Sequence, residues 1–175
     1  METTTVTINE DGPSQPLMKG ITWDPSERTL TITEAVKGTV VVTGRGNGSV
    51  YRNGPGHTLR IGPGDGSVTV DGQHAGDVIR RGSGDGSAIR TGRGSGSAIR
   101  TGSGDGDAYR NGAGDGDARR EGNGDGLANR SDDGNGDAIR SGNGDGDATR
   151  TGSGTGSANR SGAGHGNAWC HGVYG

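Results

Sequence analysis

The sequence predicts an all-β solenoid, a parallel β-helix or β-roll, built from ten-residue glycine-rich repeats behind a strand-rich N-terminal cap. From Gly82 onward one phrase recurs without insertions, first as GSGDGSAIRT and last as GAGHGNAWCH. Arginine stands at every tenth position from Arg80 to Arg160, and alanine at every tenth position from Ala88 to Ala168. A fixed period gives each unit an equivalent place in a stack. We therefore expect rows of identical groups rather than one assembled site.

Composition alone favours a disordered chain over a globular domain. The 175 residues include 41 glycines and no phenylalanine, and hydrophobic residues make up only 25%. Such a chain buries too little apolar surface to offset its conformational entropy. A flexible linker, however, has no need of an arginine at every tenth residue. The strict phrase favours an ordered repeat, in which backbone ladders and stacked side chains replace a conventional core.

Residues 1–43 differ in character from the repeats. The segments TTTVTI, TLTITEAV and GTVVVTG show the β-branched enrichment and partial alternation that are typical of strands. The same region holds Leu17, Met18 and Trp23. We predict a β-rich head or cap at residues 1–43, because a solenoid end needs protection. The solenoid then spans residues 44–168, and residues 169–175 form a C-terminal cap or tail.

The phrase also predicts which side chains face inward. Glycine takes positions 1, 3 and 5, Asp or Ser usually position 6, alanine position 7 and arginine position 9. Position 8 accepts residues as different as Ile89, Arg119 and Trp169, so it should face outward, whereas position 7 should face a narrow interior. In earlier phrases valine takes the inward place, as at Val50 and Val68. A larger inward residue near the head indicates that the stack tightens along the chain.

Strand alternation puts the arginine of position 9 on the alanine side. A row of buried, unpaired arginines is too costly, so either the strand ends before position 9 or the arginines meet carboxylates and carbonyls at the edge of the interior. A coil of ten residues would separate equivalent arginines by about 4.8 Å, and we expect about 9.6 Å for a coil of twenty. Charge repulsion favours the longer coil.

Aspartates recur at positions 4 and 6 and are candidate calcium ligands. The phrase resembles the nonapeptide GGxGxDxUx of RTX calcium β-rolls, although the period here is ten and glycine replaces the ligand aspartate. The resemblance implies calcium as the cofactor, and the candidate ligands are Asp105, Asp107, Asp115 and Asp117. Calcium takes six to eight oxygens. Because nearby arginines compete for the same carboxylates, we expect instead that these aspartates pair with arginine or accept turn amides and that no cofactor is bound.

No catalytic constellation emerges from the sequence. The GxGxG strings lack the following GKS or GKT and the helix of a phosphate loop. No Ser/His/Asp or Cys/His arrangement is defined. His165, Cys170 and His171 lie within seven residues and match zinc chemistry, but they also fit a terminal cap. The sequence predicts a protein that is not an enzyme.

Charge sets the remaining options for a partner. The formal net charge is only −3, from 18 basic and 21 acidic residues. The regularly spaced arginines are expected either to contact a macromolecular partner or to neutralise the aspartate rows. Regularly spaced carboxylates on a rod-like solenoid can imitate a nucleic-acid backbone. Direct nucleic-acid binding is not favoured. The candidate partner contacts are Arg90, Arg100, Arg110, Arg120, Arg130, Arg140, Arg150, Tyr109 and Trp169.

As a whole, the GDGDAxR phrase behind its strand-rich head resembles uncharacterised glycine-rich repeat proteins of bacteriophages and prophages. The resemblance implies an accessory protein that inhibits a host defence or nucleic-acid-handling complex by steric occlusion or charge mimicry. It also implies, as an alternative, a fibre or spike component that forms a homotrimer. No signal peptide and no span of roughly 20 apolar residues is visible. We therefore predict a cytoplasmic protein that does not enter a membrane.

Overall fold

The computed structural model of the chain describes residues 2–172 as an all-β solenoid of about seven coils. Its eighteen strands form two nine-stranded sheets, and from β4 onward successive strands alternate between them. Within each sheet the strands of the repeats are parallel. The predicted fold class is confirmed.

The strands divide between the sheets as follows. Sheet 1 holds β1 (Thr3–Asn9), β2 (Gly12–Pro13), β5 (Thr39–Thr43), β7 (Thr58–Ile61), β9 (Val78–Arg81), β11 (Ala98–Thr101), β13 (Ala118–Glu121), β15 (Ala138–Ser141) and β17 (Ala158–Ser161). Sheet 2 holds β3 (Ile21–Asp24), β4 (Thr29–Ile32), β6 (Ser49–Asn53), β8 (Val68–Asp71), β10 (Ala88–Arg90), β12 (Ala108–Asn111), β14 (Ala128–Ser131), β16 (Ala148–Thr151) and β18 (Ala168–His171).

One coil comprises two phrases. Strand pairing places Ala88 beside Ala108, twenty residues along the chain, so the longer predicted coil is confirmed. The expected separation of about 9.6 Å between arginines was wrong, because each coil rises by one strand spacing, about 4.8 Å, whatever its length. The segment GPGHTLRI lacks two residues and makes one shorter coil, in which Val50 pairs with Val68.

Strand alternation sorts the side chains as predicted. The alanines of position 7 are fully buried from Ala88 to Ala148, and in earlier coils Val50, Val68 and Val78 fill the same inward row. Residues at position 8, such as Ile99, face outward and are half-buried. The interior is therefore apolar near the N-terminus and narrows to alanine along the repeats.

Two antiparallel hairpins form the N-terminal end of the stack. Strands β1 and β2 form an antiparallel hairpin at the edge of sheet 1, and β3 and β4 form another at the edge of sheet 2. Leu17 and Trp23 pack against the buried cluster that contains Ile8 and Leu30. Residues 3–43 thus supply the first strands of both sheets and cover their ends.

The C-terminal end differs from the N-terminal end. In the part of the chain that the structure describes, no strand pairs with the outer edges of β17 and β18. Every residue of β18 is exposed. Residues 173–175 of the predicted tail lie outside the described residues.

The narrow interior predicts a steep dependence on side-chain volume. Ala128→Leu inserts three carbons into a fully buried row, and we expect it to lower the free energy of unfolding by about 1–3 kcal/mol. Asn129→Leu adds a leucine to the outward side of the same strand and should change stability by less than about 0.5 kcal/mol. Urea denaturation of both variants checks this, and equal effects would contradict a tight interior.

Candidate binding surface and buried arginine rows

The arginines of position 9 lie inside the solenoid. Ten of them have relative exposures of only 0–1%: Arg52, Arg60, Arg80, Arg90, Arg100, Arg110, Arg120, Arg130, Arg140 and Arg150. A side chain without exposed surface has no contact with a partner. The prediction that Arg90, Arg100, Arg110, Arg120, Arg130, Arg140 and Arg150 bind a partner was therefore wrong.

Backbone carbonyls accept hydrogen bonds from each buried guanidinium group. In Arg110, Nε donates to the Gly96 carbonyl at 2.8 Å, Nη1 to that of Asn111 at 2.7 Å, and Nη2 to those of Gly94 at 3.0 Å and Gly114 at 2.5 Å. The planar guanidinium carries five donors, so one arginine serves several carbonyls at once. Of the two arrangements left open by the sequence, the structure shows arginines that meet carbonyls.

No arginine of these rows forms a salt bridge within residues 2–172. The prediction that they pair with the aspartate rows was wrong, because the arginines point inward and the aspartates outward. The Nε atoms of Arg52, Arg100, Arg120, Arg130 and Arg140 have no acceptor among the described residues.

The glycines of the phrase make room for these groups. We call the turns from sheet 1 to sheet 2 corner 1 and the turns from sheet 2 to sheet 1 corner 2. Arg120 lies at corner 1, and a Cβ at Gly126 would lie 2.8 Å from its Nε. Gly104, with φ +106°, would bring a Cβ into the carbonyl of Gly84 one coil earlier. Glycine is thus required by both the backbone angle and the space that the guanidinium occupies.

Burial changes the titration of the row. Loss of water lowers the pKa of Arg100, Arg110 and Arg120 to about 10, and repulsion from arginines one coil away adds to the shift. Asp85, in the turn outside Arg100, opposes it. A pKa of about 10 still leaves each guanidinium charged near neutral pH, so the interior carries two columns of positive charge.

Those aspartates of position 4 that lie at corner 1 form an exposed column, which we call the acidic column: Asp65, Asp85, Asp105, Asp125 and Asp145. Each of the first four carboxylates accepts the amide of the next member, and that of Asp145 accepts the amide of His165. The amide of Asp105 donates to Oδ1 of Asp85, and that of Asp125 to Oδ1 of Asp105, both at 2.9 Å. Such bonds fix the direction of each side chain, so the column is an ordered line of carboxylates.

The four aspartates predicted as calcium ligands do not form one site. Asp105 and Asp107 lie at corner 1, whereas Asp115 and Asp117 lie at corner 2. Oδ1 of Asp107 accepts the amide of Leu127 at 2.8 Å, and the other three accept amides in the same way. Within residues 2–172 no three His, Cys, Asp or Glu side chains gather into a possible metal site, the predicted zinc set at residues 165–171 included.

Burial of the arginines divides the charge of the molecule. Ten of the eighteen basic residues are inside, which leaves eight to face twenty-one acidic residues, none of them buried. The exterior therefore carries a formal charge near −13, although the whole chain carries only −3. Close to the surface the electrostatic potential is set mainly by this outer charge, because the buried arginines lie farther away, behind the glycine turns.

Of the two faces that meet at the acidic column, the sheet 2 face lacks outward basic residues on its strands from β6 onward. The strands of sheet 2 from β6 onward carry no outward Lys or Arg, since each of their arginines is buried or replaced. Tyr109 and Trp169 lie on this face, in one outward row and three strands apart. Trp169 is 60% exposed, while burial and Asp107 raise the pKa of the half-buried Tyr109. Their predicted role in partner contact remains a prediction.

No protein-family model matches the chain, and neither the curated proteins nor the solved structures provide a match. The described residues contain no helix of the length and hydrophobicity needed to cross a membrane.

Two adjacent arginines, one buried and one facing outward, allow the structural role of the buried row to be tested. Arg120→Gln removes donors from several corner carbonyls, and we expect a loss of about 3 kcal/mol or more in the free energy of unfolding. Arg119→Gln removes exposed ion pairs of 3.5 Å and 3.6 Å and should cost under about 1 kcal/mol. Urea denaturation measures both, and a larger loss for Arg119→Gln would contradict the structural role of the row.

The lowered arginine pKa values predict greater stability in alkali. Above pH 10 the unfolded chain binds more protons than the folded chain at these sites, so the free energy of unfolding rises with pH toward the unfolded pKa; the gain is lost below about 10. Tyr109 has the opposite effect because its pKa is raised. In Tyr109→Phe the melting temperature should therefore increase from pH 9 to 11, as followed by circular dichroism. A steady fall over this range would contradict the lowered pKa values of the buried arginines.

Proposed function

We propose that the protein is a non-enzymatic binding protein whose acidic exterior docks on a basic partner surface. The rod then occupies the groove in which that partner holds nucleic acid. One observation carries the proposal: the arginines are internal, so regularly spaced carboxylates dominate the outside. Complementary charge steers such an encounter and selects the partner.

The spacing of the acidic column supports mimicry of a nucleic-acid strand. It presents one carboxylate per coil, about every 4.8 Å. A DNA strand presents one phosphate per roughly 3.4 Å of helix axis. The linear charge densities are therefore of the same order, and Asp107 and Asp147 add carboxylates at the same corner.

Order in the column favours affinity. Hydrogen bonds from backbone amides along the column hold Oδ1 of each aspartate in place before a partner binds. Oδ1 of Asp125, for example, accepts the amide hydrogen bond of Asp145 at 2.9 Å. Preorganised groups lose less side-chain entropy on binding. The mechanism is occlusion, since the rod blocks the basic groove and no chemical step is needed. The resemblance to phage proteins would make a host nucleic-acid-handling complex the partner.

Asparagine replacement tests the charge without removing the amide acceptor. Asn47 and Asn135 already accept the next amide at equivalent places, at 2.9 Å. The test variant changes the whole column: Asp65→Asn, Asp85→Asn, Asp105→Asn, Asp125→Asn and Asp145→Asn. The matched control has the same net charge but changes corner 2: Asp77→Asn, Asp115→Asn, Asp117→Asn, Asp133→Asn and Asp137→Asn.

Both variants and the unchanged chain are immobilised and exposed to a bacterial lysate, and captured proteins are eluted with duplex DNA. We expect nucleic-acid-binding proteins in the DNA eluate of the unchanged chain and of the corner 2 control, and at least a tenfold loss for the column variant. Circular dichroism verifies that all three are folded. Capture that survives in the column variant, or that DNA does not displace, would refute strand mimicry.

A further inference from the structure

The two ends of the stack have opposite chemistry. At the N-terminal end the first strands fold back as antiparallel hairpins, and Trp23 covers the interior. At the C-terminal end the inward row emerges into solvent. Ala148 is fully buried, whereas Ala158 is partly exposed and Ala168 exposed. The last described coil therefore displays a cross-section of the interior.

The backbone of this last coil has unused donors. In the body of the solenoid each inward alanine amide donates to the next coil, as from Ala138 to the Ser157 carbonyl at 2.9 Å and from Ala148 to that of Asn167 at 2.8 Å. Among residues 2–172 the amides of Ala158 and Ala168 have no such acceptor. Unpaired donors along a strand edge are a template for another strand.

The side-chain ladders also stop with unused groups. Oδ1 of Asp137 accepts the amide of Ser157 at 2.7 Å, and Oδ1 of Asp147 accepts that of Asn167 at 2.6 Å. Ser157 and Asn167 then offer acceptors of the same kind, which no amide of the described residues uses. At the edge that every earlier coil pairs with the next, the last described coil thus retains unused hydrogen-bonding groups on both backbone and side chains.

We propose that two copies of this chain associate end to end through their last coils, with two-fold symmetry. Strand β18 follows β17 by half a coil along the chain, and an even rise through the coil puts the end of sheet 2 half a strand spacing beyond that of sheet 1. A two-fold axis parallel to the strands, from corner 1 to corner 2, places β17 of each copy beside β18 of the other. The paired strands run antiparallel, and both gaps equal one strand spacing, about 4.8 Å.

This symmetry closes the assembly at two copies. The interface is isologous and uses the open edges of both last described coils, while the N-terminal hairpins point away from it, so this contact closes at two copies. Because the axis passes through corner 1, the acidic columns of both copies lie along one edge of the dimer. The end face is narrow, about 10 Å between the sheets, so the area lies at the low end for protein interfaces and the dimer should dissociate on dilution.

Sedimentation equilibrium of the full chain over a concentration series tests the proposal. Dithiothreitol is present throughout, because Cys170 is an exposed free thiol. We expect a reversible monomer–dimer equilibrium without larger species. Monomers at every concentration up to the millimolar range, or trimers, would overturn the proposal, and so would dimers that form only without the reductant.

Two neighbouring substitutions locate the interface. Ala168→Lys puts an ammonium group on the exposed inward side of β18, where it would be buried and unpaired in the dimer, so we expect dimer affinity to fall at least tenfold. Trp169→Lys introduces the same charge on the outward side of that strand and should leave the affinity within about threefold. Melting curves confirm that both variants are folded. Equal losses in the two variants, or no loss in Ala168→Lys, would place the contact elsewhere.

Discussion

The bond between a buried guanidinium and the carbonyls of a glycine corner determines the rest of the molecule. A solenoid coil of two short strands must turn twice, and each turn directs carbonyls into the interior. Buried carbonyls need donors, and an alanine interior has none. Arginine supplies several donors from one side chain, as Arg110 does, and the glycines leave the volume that its planar head fills. The ten-residue phrase therefore specifies a repeated polar core of arginines and backbone carbonyls rather than a small hydrophobic core.

Much of this fold follows from period and alternation. The constant spacing predicts a stack, and the contrast between positions 7 and 8 predicts which row is inside. The role of arginine does not follow, because aspartates at regular positions invite ion pairs, whereas the acceptors are backbone carbonyls that carry no sequence signal. The hydrogen bonds between successive aspartates do not follow from the sequence either, since they join residues twenty apart and can be assigned only when the coil length is known. Arginine and aspartate are close in sequence, but arginine points into the interior and aspartate points to solvent, so the two charges do not pair.

The same separation explains why net charge misleads for this protein. Positive groups form columns inside each corner, and carboxylates lie outside it, with a glycine turn between them. A partner that approaches the rod would therefore encounter the outer carboxylates first. Asp85 moderates the desolvation of Arg100 without touching it, so the outer column stabilises the inner one while its oxygens stay accessible. The proposed binding surface and the stability of the buried arginines thus depend on the same carboxylates.

The shortened coil at GPGHTLRI has a consequence for folding. Identical coils have no internal landmark: a strand that pairs one coil too early or too late finds the same alanine, arginine and glycine partners. Such register errors are nearly equal in energy to the native pairing, which is the condition for a frustrated landscape. A coil of eighteen residues breaks the degeneracy, because a slip across it displaces the phrase by two positions and sets arginine against alanine. Together with the valines beside it, this coil fixes the register in which the following strands pair.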